Sequence, residues 1–111
     1  MIEEVNLRSM GGFGVATIVG SGELDLTKAD DLSWALNRAI SAGHDIEVDL
    51  RNVTFIDSAI LSSLATAGKT LADSGKRMTV IVSPDSYPLY VLNLVGFHCL
   101  MLIKTDDGHS I

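Results

Sequence analysis

Residues 53–61 read VTFIDSAIL, an apolar run interrupted by an acid and a hydroxyl. Asp57 and Ser58 are residue types that helix starts prefer, so the simplest reading makes Asp57 an N-cap. A hydroxyl at such a place could also do chemistry. As a nucleophile it would need a base and an oxyanion site. As a phosphate acceptor it would need only exposure, because free amides and the positive end of the helix dipole already lie there. The nucleophile finds no support. No Gly-x-Ser-x-Gly elbow is present, and His44, His98 and His109 are scattered without a catalytic motif or metal-ligand spacing. There is no Cys-x-x-Cys pair and no P-loop. GGFG at 11–14 precedes VATIV, a strand pattern, and reads as a hairpin turn rather than a phosphate loop. The expectation is a phosphate acceptor that is not an enzyme and carries no cofactor and no metal.

The elements that must position this pair are set by periodicity. Residues 2–8 and 14–20 read as an antiparallel hairpin. GELDLTKADDLSWALNRAISAG then starts a helix, with Thr27 as N-cap and Asp30 completing a weak capping box. Leu32, Leu36, Ala39 and Ile40 recur at helical spacing and face the sheet, Trp34 packs at the edge of that face, and Gly43 ends the helix. DIEVDLRNV sets Ile46, Val48 and Leu50 against Glu47, Asp49 and Arg51, the alternation of a half-buried strand. The next helix buries Ile60, Leu61, Leu64, Leu71 and Ala72 and stops at Gly75. RMTVIV is a strand with Val80 and Val82 in the core. A short helix bears Pro84 and Pro88 near its start and closes at Gly96. FHCLMLI is the last strand, and residues 104–111 are a polar tail. The order β-β-α-β-α-β-α-β predicts an α/β fold: a mostly parallel mixed sheet, an N-terminal antiparallel hairpin, and helices mainly on one face. Asp57 and Ser58 fall on a loop at the carboxyl end of a strand, where such sheets gather function.

Composition narrows the partners. The chain of 111 residues suits one domain with one core. Its 47% hydrophobic and 20% charged residues are those of a globular protein. A net charge of −6 opposes phosphate backbones, so nucleic acid is not expected as a partner. MIEEVNLR has no apolar stretch of signal length. The apolar segment at 90–103 is broken by Asn93, Gly96 and His98 and is shorter than the ~20 residues a span requires, so no membrane insertion is expected. A single cysteine, Cys99, fits a reducing cytoplasm and is placed in the core.

Four segments in order carry a resemblance: GELDL at 22–26, VDLRNVTFIDS at 48–58, SGKRMTVIVSP at 74–84 and LVGF at 94–97. Over nearly its whole length the chain resembles the STAS domain of bacterial anti-sigma-factor antagonists. The resemblance implies a protein that binds an anti-sigma factor, often a serine kinase, and so regulates transcription. It also implies phosphorylation of the hydroxyl after the loop acid, which ends the association, and a phosphatase as a further partner. That hydroxyl is Ser58 and the acid is Asp57; Asp25 matches an acid on the adjacent loop that shapes the partner surface. Many family members read Asp-Ser-[Ser/Thr]-Gly-Leu, whereas here Ala59 and Ile60 come after Ser58. Ile60 raises a scaffold-type role in a large stress-sensing complex.

Two readings of the residues stand beside the resemblance. Ser58, Ser62, Thr66 and Lys69 share one helix face, small and polar, which is either an ordinary solvent face or a docking surface. Joined to the loop, the docking reading is preferred. Ser62 and Ser63 are alternative phosphosites without the loop position. The alternatives to an antagonist are the scaffold-type STAS protein and a STAS regulatory subunit of a membrane transporter or lipid-transport ATPase. The expected state is a monomer or weak dimer, with a larger assembly under the scaffold reading.

Overall fold

A computed structural model describes residues 2–10, 13–97 and 100–105. The elements run β1 (Ile2–Met10), β2 (Phe13–Leu24), α1 (Leu26–Ser41), β3 (Asp45–Ile56), α2 (Ser58–Asp73), β4 (Met78–Val82), α3 (Tyr87–Leu94) and β5 (Leu102–Thr105). They form one sheet in the order β1-β2-β3-β4-β5. β1 lies antiparallel to β2, and every later pairing is parallel. The predicted architecture is therefore present.

Neighbouring strands keep chain order, so each parallel connection crosses over in the same sense. Right-handed crossovers then place all three helices on one face. The burial pattern agrees. Ala16 and Ile18 of β2, Ile46, Val48 and Leu50 of β3, Met78, Val80 and Val82 of β4, and Ile103 of β5 are buried with Leu32, Leu36, Ile60, Leu64, Leu71 and Leu92 from the helices. They form a single cluster. The opposite face carries alternating residues such as Asp49, whose carboxylate takes two bonds from the Arg51 guanidinium, at 3.0 and 2.7 Å. Those bonds hold the Asp49 carboxyl below the usual carboxylate range.

Several boundaries differ from the reading of the sequence. Leu71 is buried, but Ala72 is exposed and Leu61 only half-buried, because each lies about 100° round the helix from a buried neighbour, Leu71 or Ile60, and so falls beside the core-facing stripe. Ile40 is likewise half-buried. Trp34 does not pack at the edge of the core: it is 61% exposed, with the Arg38 guanidinium 4.8 Å from its ring centre. The last strand starts at Leu102 and not at Phe97, because a turn intervenes in which the Leu100 and Met101 amides both donate to the Phe97 carbonyl. Lys104 and Thr105, read as tail, pair with Ile81 and Val82. The turn at 11–12, His98, Cys99 and the rest of the tail lie outside the described residues.

Glycines end the helices as predicted. Gly43 at φ +77° and Gly75 at φ +73° adopt the left-handed conformation that a Cβ disfavours.

Leu64 is wholly buried between α2 and the sheet. Leu64→Ala should lower unfolding stability by roughly 2–5 kcal/mol in urea titration. A loss below about 0.5 kcal/mol, the size of a surface change, would mean that α2 presents the other face.

Candidate functional site

Parallel pairing aligns Leu24 with Ile56 at the ends of β2 and β3. The next residue in each chain segment is an aspartate, and each aspartate caps a helix. Asp25 Oδ1 accepts from the Thr27 amide at 3.0 Å and from the Thr27 hydroxyl. Asp57 Oδ1 accepts from the Ile60 amide at 3.1 Å, and its carbonyl accepts from Leu61 in the first α-helical bond. Thr27, read from the sequence as the N-cap of α1, instead donates to the true cap, Asp25. Aspartate wins because its carboxylate reaches the orphan amides from an extended backbone, φ −117° and ψ −171°. The hydroxyl of Thr27, its amide and Lys28 lower the Asp25 carboxyl's pKa below the ordinary value.

Ser58 is the first residue of α2 and is exposed. It therefore stands at the sheet's carboxyl edge, beside one capping carboxylate and one strand away from the other. Ser62 and Thr66 are also exposed and line a groove of about 250 Å³ between α1 and α2, with Ser33, Asn37 and Ile40. Ser63 is committed elsewhere: its hydroxyl donates to the Ala59 carbonyl at 3.2 Å and meets the Ser33 hydroxyl at 2.9 Å. Lys69 is exposed on the same face, but eleven residues from Ser58, about 16 Å along the helix axis. Asp25, Asp57 and Ser58 thus form one edge, Ser62 and Thr66 extend it along the groove, and Lys69 marks the far end.

Ile60, the departure from the family's glycine, is wholly buried in the core. It changes what lies under the loop and not the exposed surface of the edge.

The sequence reading missed the other wall of this edge. α3 begins there too, capped by Ser86, whose hydroxyl accepts from the Leu89 amide at 3.3 Å. The ring of Tyr87 stacks on Phe55 with centroids 5.5 Å apart and planes 16° off parallel. The Ser83 hydroxyl ties this loop to β3 by donating to the Arg51 carbonyl at 2.9 Å. Nothing in the local pattern distinguishes Phe55 from a core residue, because it stands between Val53 and Ile56, both of which are buried.

Comparison with known proteins agrees with this geometry. The family model of the Mlab STAS domain matches residues 13–103, and the chain belongs to the STAS domain family. Among curated proteins no sequence matches. Solved structures share the fold. An anti-sigma factor antagonist from Mycobacterium paratuberculosis is 20% identical with a TM-score of 0.72, over 91% of this chain and 84% of that one. The unphosphorylated form of the anti-sigma factor antagonist SpoIIAA is 17% identical with a TM-score of 0.67, over 96% and 90%. Phosphorylated SpoIIAA of Bacillus is 20% identical with a TM-score of 0.67, over 94% of each chain. Among the described residues, no helix is long and apolar enough to cross a membrane.

The caps give two expected outcomes. Asp57→Ala should cost about 0.5–2 kcal/mol of stability by chemical denaturation, the usual cost of losing a cap. No measurable loss would show that the Asp57–Ile60 bond is not formed in solution. For Asp25 the folded pKa is depressed. Its contribution is therefore complete above the unfolded value near 3.8 and is lost as pH falls through the lower folded value. In an NMR titration, Thr27→Val should move the Asp25 carboxyl back up toward 3.8. An unchanged midpoint would remove the Thr27 hydroxyl as the leading cause.

Proposed function

We propose that this protein is an anti-sigma-factor antagonist. It docks an anti-sigma factor with serine-kinase activity through the edge built by Asp25, Asp57 and Ser58, and is released when Ser58 is phosphorylated. The observation that carries the reading is the position of Ser58, an exposed hydroxyl on the first residue of α2 next to the capping carboxylate. A phosphate there would add about −1.5 to −2 charge. The helix N-terminus favours that charge, so the fold tolerates it. A docked surface does not: the charge gathers with Asp57 and Asp25 and turns the edge acidic. The switch works by local repulsion and bulk, without refolding. A phosphatase would reset the site.

A second reading is a STAS regulatory subunit of a membrane transporter, which would dock a helical protein surface without phosphorylation. Two observations favour it. The matching family model is the Mlab STAS domain, and Trp34 stands exposed on α1.

The test begins by co-purifying partners on wild-type protein and identifying them, with their phosphosites, by mass spectrometry. After circular dichroism has shown both variants folded, each is titrated calorimetrically against the purified partner. Ser58→Asp should weaken binding at least about tenfold, because a like-charge contact can cost several kcal/mol. Ser58→Ala should bind as wild type and take no phosphate. If Ser58→Asp binds normally and Ser58→Ala still takes phosphate at one site, the switch is elsewhere, with Ser62 the better placed of the two remaining serines. A membrane transporter ATPase recovered as the partner, indifferent to both substitutions, would establish the second reading.

A further inference from the structure

The surface beside Ser58 has an unusual composition. Asp57 is the only charged residue between Arg51 and Lys69. Between Arg77 and Lys104 there is no lysine or arginine, and Asp85 is the only acid. These two stretches build the end of β3, the first three turns of α2, and all of α3. On α3, Tyr87, Tyr90 and Leu94 are spaced to share one face and are 45%, 63% and 70% exposed. The face begins at the Phe55–Tyr87 stack, and Phe55 is itself 37% exposed. A ridge of aromatic and aliphatic surface thus runs from three residues before Ser58 along the length of α3. Beside it lies an open hollow of about 360 Å³, lined by Asp85, Ser86, Leu89, Tyr90 and Asn93.

Depletion of charge with enrichment of aromatic residues marks the centre of protein interfaces. The area decides what covers it. These exposures amount to about two large side chains of free surface, on the order of 400 Å². Two copies meeting on the ridge would bury about 800 Å², below the roughly 1,200 Å² of a specific interface. The ridge alone does not support a stable homodimer. Joined to the Ser58 edge and the groove along α2, it becomes half of a surface of ordinary interface size. The charges argue the same way. In a symmetric pair the flanking acids, Asp57 and Asp85, would be set against acids of the other copy, whereas a single basic group opposite Asp85 would complement that end of the ridge.

Resting on the reading above, we infer that the Phe55–Tyr87–Tyr90–Leu94 ridge and the Ser58 edge are one continuous docking surface. Its occupant is a single protein with an apolar groove that carries one lysine or arginine at the Asp85 end and uncharged or acidic groups where it meets Ser58. That basic side chain enters the hollow beside Tyr90 toward Asp85. Phosphorylation of Ser58 then empties the ridge as well as the loop.

The probe is p-benzoylphenylalanine, placed singly at Tyr90, Leu94 or Ser62, with Asp31 and Asp73 as exposed controls, in the full chain inside the cells that make it. All five sites are exposed, and circular dichroism checks each variant against wild type. Expected on irradiation is one adduct of the same mass from positions 62, 90 and 94, none from 31 and 73, and loss of all three when Ser58→Asp is added. Sequencing of the adduct from position 90 should give a peptide with apolar residues and at least one lysine or arginine. An adduct from 62 alone would overturn the ridge while leaving the Ser58 reading in place. So would adducts from 90 and 94 that persist with Ser58→Asp, because the ridge would then dock something of its own. An adduct of two copies of this chain would overturn the heterologous occupant. No adduct from any of the three positions would overturn both the ridge and the reading on which it rests.

Discussion

The register between β2 and β3 is the constraint on which the rest depends. Leu24 lies opposite Ile56, and both strands run the same way. Their chain continuations must therefore emerge side by side at one edge of the sheet. Each strand is succeeded by an aspartate that caps a helix. The same rule brings in α3, because β4 pairs parallel to β3 and its connection starts from that edge. Three helix starts and their loops converge without any special device, through strand order and crossover sense alone.

This arrangement separates the residues that hold the fold from those that face solvent at the edge. Below the edge, Leu24, Ile56, Ile60 and Leu64 are buried and hold the helices down. Above it, Ser58, Ser62 and Thr66 face solvent, and each carries a small polar side chain. The cap carboxylates belong to both layers. Each satisfies an amide that the helix leaves unpaired, and each puts negative charge where a partner would approach. Ile60 shows the separation most directly. It is a bulky residue two positions after Ser58, yet it is wholly buried in the core, and the backbone above it keeps the geometry of a capped helix start.

Much of this was legible from residue patterns. The alternation of Ile46, Val48 and Leu50 identifies the core face of β3, and the helical spacing of Leu32, Leu36 and Ala39 gives the buried side of α1. The Asp57–Ser58 pair was readable as a helix start because both residue types are rare inside one and common at its beginning. Three things were not readable. The choice of Asp25 over Thr27 as cap depends on which side chain reaches the free amides, a matter of one or two residues that composition does not resolve. The late start of β5 depends on the turn after Phe97, in a stretch that is apolar but for His98 and so reads as strand throughout. The exposed face of α3 is hidden for the same reason: YPLYVLNL is apolar nearly all round, so periodicity does not say which side is covered. Only the packing of Val91 and Leu92 against the sheet reveals that Tyr90 and Leu94 are left outside.

The central claim is that a negative group at Ser58 changes the surface of the edge and leaves the fold alone. Backbone amide NMR of the protein with phosphoserine encoded at position 58, compared with the unmodified protein, tests it directly. Shifts should be confined to the edge, in the segments around Asp25, Phe55–Ser62 and Tyr87, with Val48, Val80 and Ile103 unmoved at the centre of the sheet. Shifts spread through those core strands, or a loss of signal dispersion, would contradict it and make phosphorylation a conformational event rather than a local change of charge.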